Sequence, residues 1–209
     1  MLPPLEAYPD SMFVEDPALV FTEGAILLRP GAPTRIGEAA EVAPTIRTIF
    51  EVVLELPTGF ADGGDVLITP GLVMIGLSER TDRAGAGQLA VCLRQLGRDS
   101  RLVETPAEVL HLKSACSLID DETILCTPEL AATCIFDGYR LVTTAEGESG
   151  SANALRVNDV LLVDTTGVRT NEILDRLGYR LVTLATSEIS KIDAGLSCMS
   201  LRWWDRASG

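Results

Sequence analysis

Arg140-Leu141-Val142-Thr143-Thr144 opens a pattern that recurs along the chain. A polar loop at 145–152 follows, then a second apolar run at 154–157. Asn158-Asp159 separates that run from a third, at 160–163. Short apolar runs bounded by such residues read as strands, and two joined by a tight turn read as a hairpin. A helix is expected over 170–177, closed by Gly178, because glycine readily takes the left-handed conformation that ends helices. The pattern then restarts at Arg180-Leu181-Val182, and an earlier copy starts at Arg101-Leu102-Val103.

Worked outward, the same plan of leading strand, polar loop, inner strand, hairpin and helix fits five units, near 2–51, 52–100, 101–139, 140–179 and 180–209. The leading strands of the first, second, third and fifth are 2–5, 52–57, 101–106 and 180–186. Their loops are 8–16, 58–65, 107–115 and 187–197. Their inner strands are 18–21, 66–69, 116–119 and 198–203. Other hairpin turns fall at Thr22-Glu23-Gly24, Pro70-Gly71 and Asp120-Asp121-Glu122. Other helices are expected over 38–50, interrupted near Pro44, over 82–96, and over 127–136, where Thr127-Pro128-Glu129 makes an N-cap followed by proline. A period of this length marks repeat architecture. Five ββαβ units with short strands imply one α/β domain over 1–209, a five-bladed α/β-propeller with helices outside and equivalent loops meeting at its axis. The first and last blades are expected to be incomplete, because the pieces that finish the fifth unit would have to precede Met1. The strand expected at 199–204 would then present an open edge with Trp203 and Trp204 exposed, an invitation to homo-oligomerise.

Composition narrows the function. The chain has 209 residues, 46% of them hydrophobic, and a formal net charge of -13. That suffices for a core and argues against nucleic acid, whose phosphates need a basic face. A small cationic substrate, by contrast, would be attracted. Cys92, Cys116, Cys126, Cys134 and Cys198 are odd in number and fit no paired zinc spacing. They read as free thiols in a reducing cytoplasm. No apolar run approaches the roughly 20 residues that span a bilayer. One histidine and no liganding cluster imply no metal and no cofactor.

The chemistry gathers at Lys191-Ile192-Asp193-Ala194-Gly195-Leu196-Ser197-Cys198-Met199-Ser200, where a short glycine-containing turn delivers a cysteine. The single histidine, His111, lies far off in sequence. A thiol and an imidazole on separate segments suit nucleophilic catalysis, since such partners meet in space. The alternative is a buried structural cysteine and a satisfied core histidine. Both residues fall at or beside matched loops, and so do Asp10, Glu15, Asp16, Asp62 and Asp65, which favours a catalytic pocket.

Phe13-Val14-Glu15-Asp16-Pro17-Ala18, Asp62-Gly63-Gly64-Asp65-Val66-Leu67, Gly76-Leu77-Ser78-Glu79-Arg80-Thr81, Leu110-His111-Leu112-Lys113-Ser114 and Gly195-Leu196-Ser197-Cys198 together resemble the dimethylarginine dimethylaminohydrolase family, guanidino-modifying enzymes of the pentein fold. The resemblance covers nearly the whole chain. It implies hydrolysis of an Nω-methylated arginine to citrulline and a methylamine through a cysteine-linked thiouronium. Cys198 would be the nucleophile, His111 the general acid and base, and Asp62 its orienting partner, in place of the family's usual Glu. Asp10 and Asp16, with Glu15 beside them, would hold the guanidinium. Arg35 and Arg80 would hold the substrate carboxylate, with Ile192 and Asp193 lining the substrate. Arg35 could instead be a solvated loop residue, and Arg80 could pair with Asp82. The family carries an additional strand, helix and covering loop ahead of the Leu2-Pro3-Pro4 stretch. Alternatives are therefore a truncated, weakened or non-catalytic remnant that only binds guanidine, and an assembly subunit completed by a partner. Arginine deiminase activity is the alternative within the superfamily; agmatine deiminase fits less well, because two arginines imply a substrate carboxylate.

Overall fold

The computed structural model describes residues 4–203. Four three-stranded sheets are built on one plan. In the first, β1 (Ala18–Phe21) pairs antiparallel with β2 (Gly24–Leu27), and β2 pairs in parallel with β3 (Val53–Glu55) after helix α1 (Glu38–Ile49). The second joins β4 (Val66–Ile68), β5 (Val73–Leu77) and β6 (Ser100–Glu104) around α2 (Arg83–Gln95). The third joins β7 (Cys116–Leu118), β8 (Thr123–Cys126) and β9 (Arg140–Thr143) around the short α3 (Pro128–Ala131). The fourth joins β10 (Leu155–Val157), β11 (Val160–Asp164) and β12 (Arg180–Leu184) around α4 (Val168–Arg176).

Each leading strand thus belongs to the blade before it. Parallel neighbours need a long crossover, and each helix returns the chain as the third strand beside the second strand of the same sheet. The blades therefore straddle the boundaries of the sequence repeats. The inner strands β1, β4, β7 and β10 line a central cavity of about 1040 Å³, which is the axis expected of a propeller. Apolar clusters fill the spaces within and between blades. One runs from Leu19, Phe21 and Ile26 across Ile75 to Leu89 and Leu93 of α2, whose N-terminus is capped by Asp82 accepting from the Gly85 amide at 2.6 Å.

Several expected elements differ. Helix α1 runs unbroken through Pro44. Pro44 and Ala40 are both exposed, so the carbonyl that loses its partner faces water. Helix α3 stops at Ala131, where Thr133 caps the Leu130 carbonyl at 2.7 Å and Cys134 takes φ 59°. Leu2 and Pro3 lie outside the described residues, and Pro4 and Leu5 are not in a strand; proline has no amide to give to a ladder. The expected inner strand at 198–203 is not a strand either. Its amides turn back locally, Cys198 to Gly195 and Ser200 to Ser197, and the Trp203 ring packs edge-on against Phe50 at 5.0 Å. No strand edge for self-pairing exists there among the described residues, and Trp204 lies outside them.

Candidate active site

Every inner strand but β1 is preceded by a 3-10 turn: Gly63–Asp65, Leu112–Ser114 and Ser149–Ala152. A further turn, Ile189–Ile192, precedes Cys198. The five matched loops meet in a closed circuit of hydrogen bonds, although among the described residues four sheets stand behind them. The first loop meets the second where the Gly63 amide donates to the Asp16 carbonyl at 3.2 Å and the Gly64 amide to Asp16 Oδ1 at 2.9 Å. Second meets third where His111 Nε2 lies 3.1 Å from Asp62 Oδ2 and the Leu112 amide donates to Asp65 Oδ1 at 2.9 Å. Third meets fourth through Asn153 Nδ2, 2.8 Å from the Lys113 carbonyl. Fourth meets fifth between Asn153 and Ser197. Fifth returns to first where Ser197 Oγ donates to Glu15 Oε2 at 3.0 Å and the Glu15 amide donates to the Cys198 carbonyl at 3.1 Å.

The paired glycines make this convergence possible. A Cβ on Gly63 would sit 2.0 Å from the Glu15 carbonyl, and one on Gly64 would sit 2.8 Å from the His111 ring. Asp62 is almost fully buried, with Oδ1 accepting the Gly31 amide at 2.7 Å and Oδ2 facing His111. A carboxylate only accepts, so His111 Nε2 carries the proton. Burial alone would lower the His111 pKa. The hydrogen bond to Asp62 and the charges of Asp16, Asp65 and Asp62 outweigh it, and the imidazole is held above its ordinary value.

Asp65 is sealed from solvent. It accepts from Ser78 Oγ and Thr81 Oγ1, each at 2.6 Å, and from the Leu112 amide. Burial pushes its carboxyl up, against the charge of His111 and those three donors. Cys198 is half-buried, and its sulfur accepts the Gly195 amide at 3.3 Å. Burial first and the Glu15 charge second push the thiol up, with Asp16 adding to them. The Gly195 amide and Lys113 pull the other way and lose.

A family model described as arginine deiminase matches residues 5–150. The chain is 36% identical over 205 residues to the N(G),N(G)-dimethylarginine dimethylaminohydrolase of Pseudomonas aeruginosa, covering 97% of this chain and 80% of that protein. This chain belongs to the dimethylarginine dimethylaminohydrolase family. The corresponding enzyme of Streptomyces coelicolor is 33% identical over 201 residues, covering 95% of this chain and 76% of that one. A solved structure of the Pseudomonas aeruginosa protein complexed with citrulline matches with TM-score 0.92 over 96% of this chain and 79% of that chain. The fold is therefore the α/β-propeller of that family.

Within the dimethylarginine dimethylaminohydrolase fold, the structure brings Cys198, His111, Asp62, Glu15 and Asp16 into one circuit. Arg35 lies elsewhere than expected. It is 5% exposed, so it is not a solvated loop residue. Its guanidinium pairs with Asp16, donates to Glu38 from Nε at 2.9 Å and from Nη2 at 2.6 Å, and donates to the Phe13 carbonyl at 3.0 Å. Burial would lower its pKa; Glu38 and Asp16 more than reverse that. Arg35 therefore fixes Asp16 and the loop at 13–16, and is not free to clamp a carboxylate. Arg80 is half-buried and its side chain makes no ion pair among the described residues, with Asp82 or otherwise. Asp10 is half-buried in a run of tight turns, its carbonyl accepting the Phe13 amide. Ile192 is exposed, and Asp193 ends its 3-10 turn in the left-handed region at φ 56°.

The sequence shows no liganding cluster, yet in the fold Asp16, Asp62 and His111 each bring a donor atom to within 4.8 Å of the others, a grouping invisible along the chain because three loops supply it. Each of the three already has protein partners, and such a spot also suits an organic cation.

The sequence gives Lys113 and Ser197 no role, although both stand in the motifs that resemble the family, and it does not single out Asn153. Lys113 pairs with Glu15 inside the protein. Its place two residues after His111 on a matched loop was the available signal. Asn153 closes the fourth loop, where the sequence shows nothing but a polar residue ahead of an apolar run.

Proposed function

We propose that this chain hydrolyses Nω-methylated arginine to citrulline and methylamine or dimethylamine, in the cytoplasm, as one guanidino-modifying domain without a cofactor. The observation that carries this is geometric. Asp16 and Asp62 bring carboxylate oxygens to within 4.8 Å of a His111 ring nitrogen, and Glu15, next to Asp16, binds the Cys198 carbonyl through its amide and Ser197 through its carboxylate, an acidic spot beside both groups that fits a guanidinium. Family membership supplies the substrate class.

In this reading the resting thiol is neutral and the entering cation lowers its pKa, because an adjacent positive charge favours the thiolate. Asp16 and Asp10 hold and orient the guanidinium in a site where preorganised charges act strongly. The Cys198 thiol gives its proton to water, and the thiolate sulfur attacks the central guanidinium carbon. His111, protonated and held through Nε2 by Asp62, gives its Nδ1 proton to the departing amine. The C–N bond breaks and a thiouronium remains on Cys198. His111 then takes a proton from water, the hydroxide adds to the same carbon, and the C–S bond breaks to give citrulline and the free thiol. Arg80, with a planar bidentate guanidinium, binds the α-carboxylate, while Ile192 and Asp193 line the amino-acid end.

The test is Cys198→Ser assayed for citrulline. Turnover should fall by on the order of 10⁴-fold or more, as loss of a covalent nucleophile does, with the melting temperature unchanged. Full turnover in that variant would sink the assignment. Arginine assayed in parallel separates this reading from a deiminase: arginine turned over faster than dimethylarginine would favour the latter.

A further inference from the structure

We propose that Asn153 is a positioning residue for the nucleophile, the group that fixes the turn at 195–198 and so aims Cys198. The idea rests on Cys198 being the reacting thiol, yet it is carried by a separate set of contacts.

Asn153 follows the 3-10 turn Ser149–Ala152 with φ -87° and ψ 70°. Its amide makes three hydrogen bonds. Oδ1 accepts the Ser197 amide at 3.1 Å, and Nδ2 donates to the Lys113 carbonyl at 2.8 Å and to Ser197 Oγ at 3.2 Å. The partners fix which atom is which: the Lys113 carbonyl can only accept, and the Ser197 amide can only donate. One planar group therefore ties the loop bearing His111 and Lys113 to the loop bearing Cys198.

Packing points to the same residue. A Cβ on Gly195 would fall 2.3 Å from Asn153 Cγ, 2.4 Å from Oδ1 and 2.6 Å from Nδ2. Gly195 has no left-handed φ to explain it. Its lack of a side chain is what lets the amide lie flat on the turn. Gly195 is also the residue whose amide donates to Cys198 Sγ, and its carbonyl accepts the Cys198 amide at 3.3 Å. The face of the turn that Asn153 covers therefore carries the donor to the sulfur. The neighbouring 3-10 turn Ile189–Ile192 buries none of its residues, and of the turn itself Leu196 and Ser197 are buried, so the side-chain hydrogen bonds of Asn153 add to the packing of those two residues.

The experiment follows the sulfur directly. Cys198 is alkylated with iodoacetamide across a pH series in the full chain, and the peptide bearing it is quantified by mass spectrometry, which excludes the exposed Cys134. Turnover of dimethylarginine and the melting temperature are measured beside it. For Asn153→Ala, the alkylation midpoint should rise by about half a pH unit or more as the Gly195 donor drifts from the sulfur. kcat should fall about 10- to 100-fold with little change in KM, the size of effect that a slightly misplaced reacting group produces. Asn153→Asp keeps the volume and the acceptor for the Ser197 amide but cannot donate to Lys113 or Ser197; it should show the same directions, and it carries the test if the alanine variant unfolds. Gly195→Ala should be damaging alone and add little in the Asn153→Ala background, where its methyl has room. The proposal is overturned if folded Asn153 variants alkylate and turn over as the wild type does, if only the melting temperature moves, or if the Gly195→Ala defect is undiminished in the Asn153→Ala background. Failure of the substrate assignment would leave the alkylation result standing, so the two ideas can fail separately.

Discussion

The two halves of the site are held by different means. The histidine half sits on 3-10 turns that run straight into strands β4 and β7, with Asp62, Asp65 and Leu112 sealed from solvent. Its carboxylates are saturated by backbone amides and by the hydroxyls of Ser78 and Thr81. The cysteine half follows a turn with no buried residue, buries only Leu196 and Ser197 beside Cys198, and its described continuation enters no strand. It is placed by Glu15, Ser197 and Asn153. Glu15 and Asp16 are where the halves meet: Glu15 reaches Lys113 and Ser197, while the adjacent Asp16 reaches Gly64 and Arg35. An acid–base group gains from rigid, buried partners because its proton affinity is set by them. The thiol half gains its precision from a few side-chain hydrogen bonds, and so should be easier to misalign by single substitutions.

Of the changes that probe this contrast between the halves, the largest expected effect tests the histidine half. Asp62→Asn keeps the shape but removes the charge beside His111 Nε2. kcat should fall by on the order of 10²- to 10⁴-fold, as when a base loses its orienting carboxylate. Stability should change its pH dependence as well. The folded pKa of His111 lies above its ordinary 6.5. The protonated ring therefore stabilises the fold fully at pH below the unfolded value, and this contribution fades as pH rises through the folded one. Urea unfolding at about pH 5.5 and about pH 8.5, on either side of the ordinary histidine value, should show a smaller difference in Asp62→Asn than in the wild type, with Asp16 and Asp65 keeping part of it. An unchanged difference would mean that Asp62 does not govern the imidazole.

Next come the two arginines expected to share one task. Arg35→Ala leaves Asp16 and Glu38 buried without their cation, a loss of about 3–5 kcal/mol in stability, read as a lowered denaturant midpoint. A stable Arg35→Ala whose only defect is a raised KM would restore Arg35 as a substrate clamp. Arg80→Ala should leave stability within about 0.5 kcal/mol, as surface changes do, and raise KM for dimethylarginine roughly 10- to 100-fold, in keeping with loss of a charged hydrogen-bonding pair. A decarboxylated analogue, having no carboxylate to lose, should bind either protein alike. Equal losses for both ligands would make Arg80 structural.

What the sequence made legible follows from how local each signal is. Strand, turn and helix signals lie within a few residues, so most strands and hairpin turns and helices α1, α2 and α4 stand close to their expected places. The matched loops followed from the period, and with them Cys198, His111 and Asp62. The identity of the blades did not, because the pairing of β12 with β11 in place of the following unit depends on a crossover and not on local pattern. Nor did the run of α1 through Pro44, which depends on that turn facing water. Arg35 looked like a substrate clamp because the family resemblance implied it and a guanidinium suits a carboxylate wherever it comes from. Only the packed loop shows that the carboxylates it meets are Asp16 and Glu38. Asn153 carried no sequence signal, since its partners lie 40 and 44 residues away.

The smallest expected effect probes the backbone of the cysteine half. Asp193 holds φ 56° and ψ 24° at the end of the 3-10 turn Ile189–Ile192. A left-handed conformation costs a non-glycine residue roughly 1 kcal/mol, and aspartate is among those that tolerate it best. Asp193→Gly removes that cost but gives the unfolded chain more freedom, worth about 0.5–1 kcal/mol in the opposite direction. The two nearly cancel, so the denaturant midpoint should barely move. If side-chain clamps at Asn153 and Glu15 place the thiol, Cys198 in Asp193→Gly should be alkylated at the same pH as in the wild type, with kcat within about twofold, while any loss from removing a substrate-lining carboxylate is confined to KM. A clear upward move in the alkylation midpoint would show instead that the left-handed turn itself aims the sulfur, and the contrast between a packed histidine half and a clamped cysteine half would fail on its cysteine side.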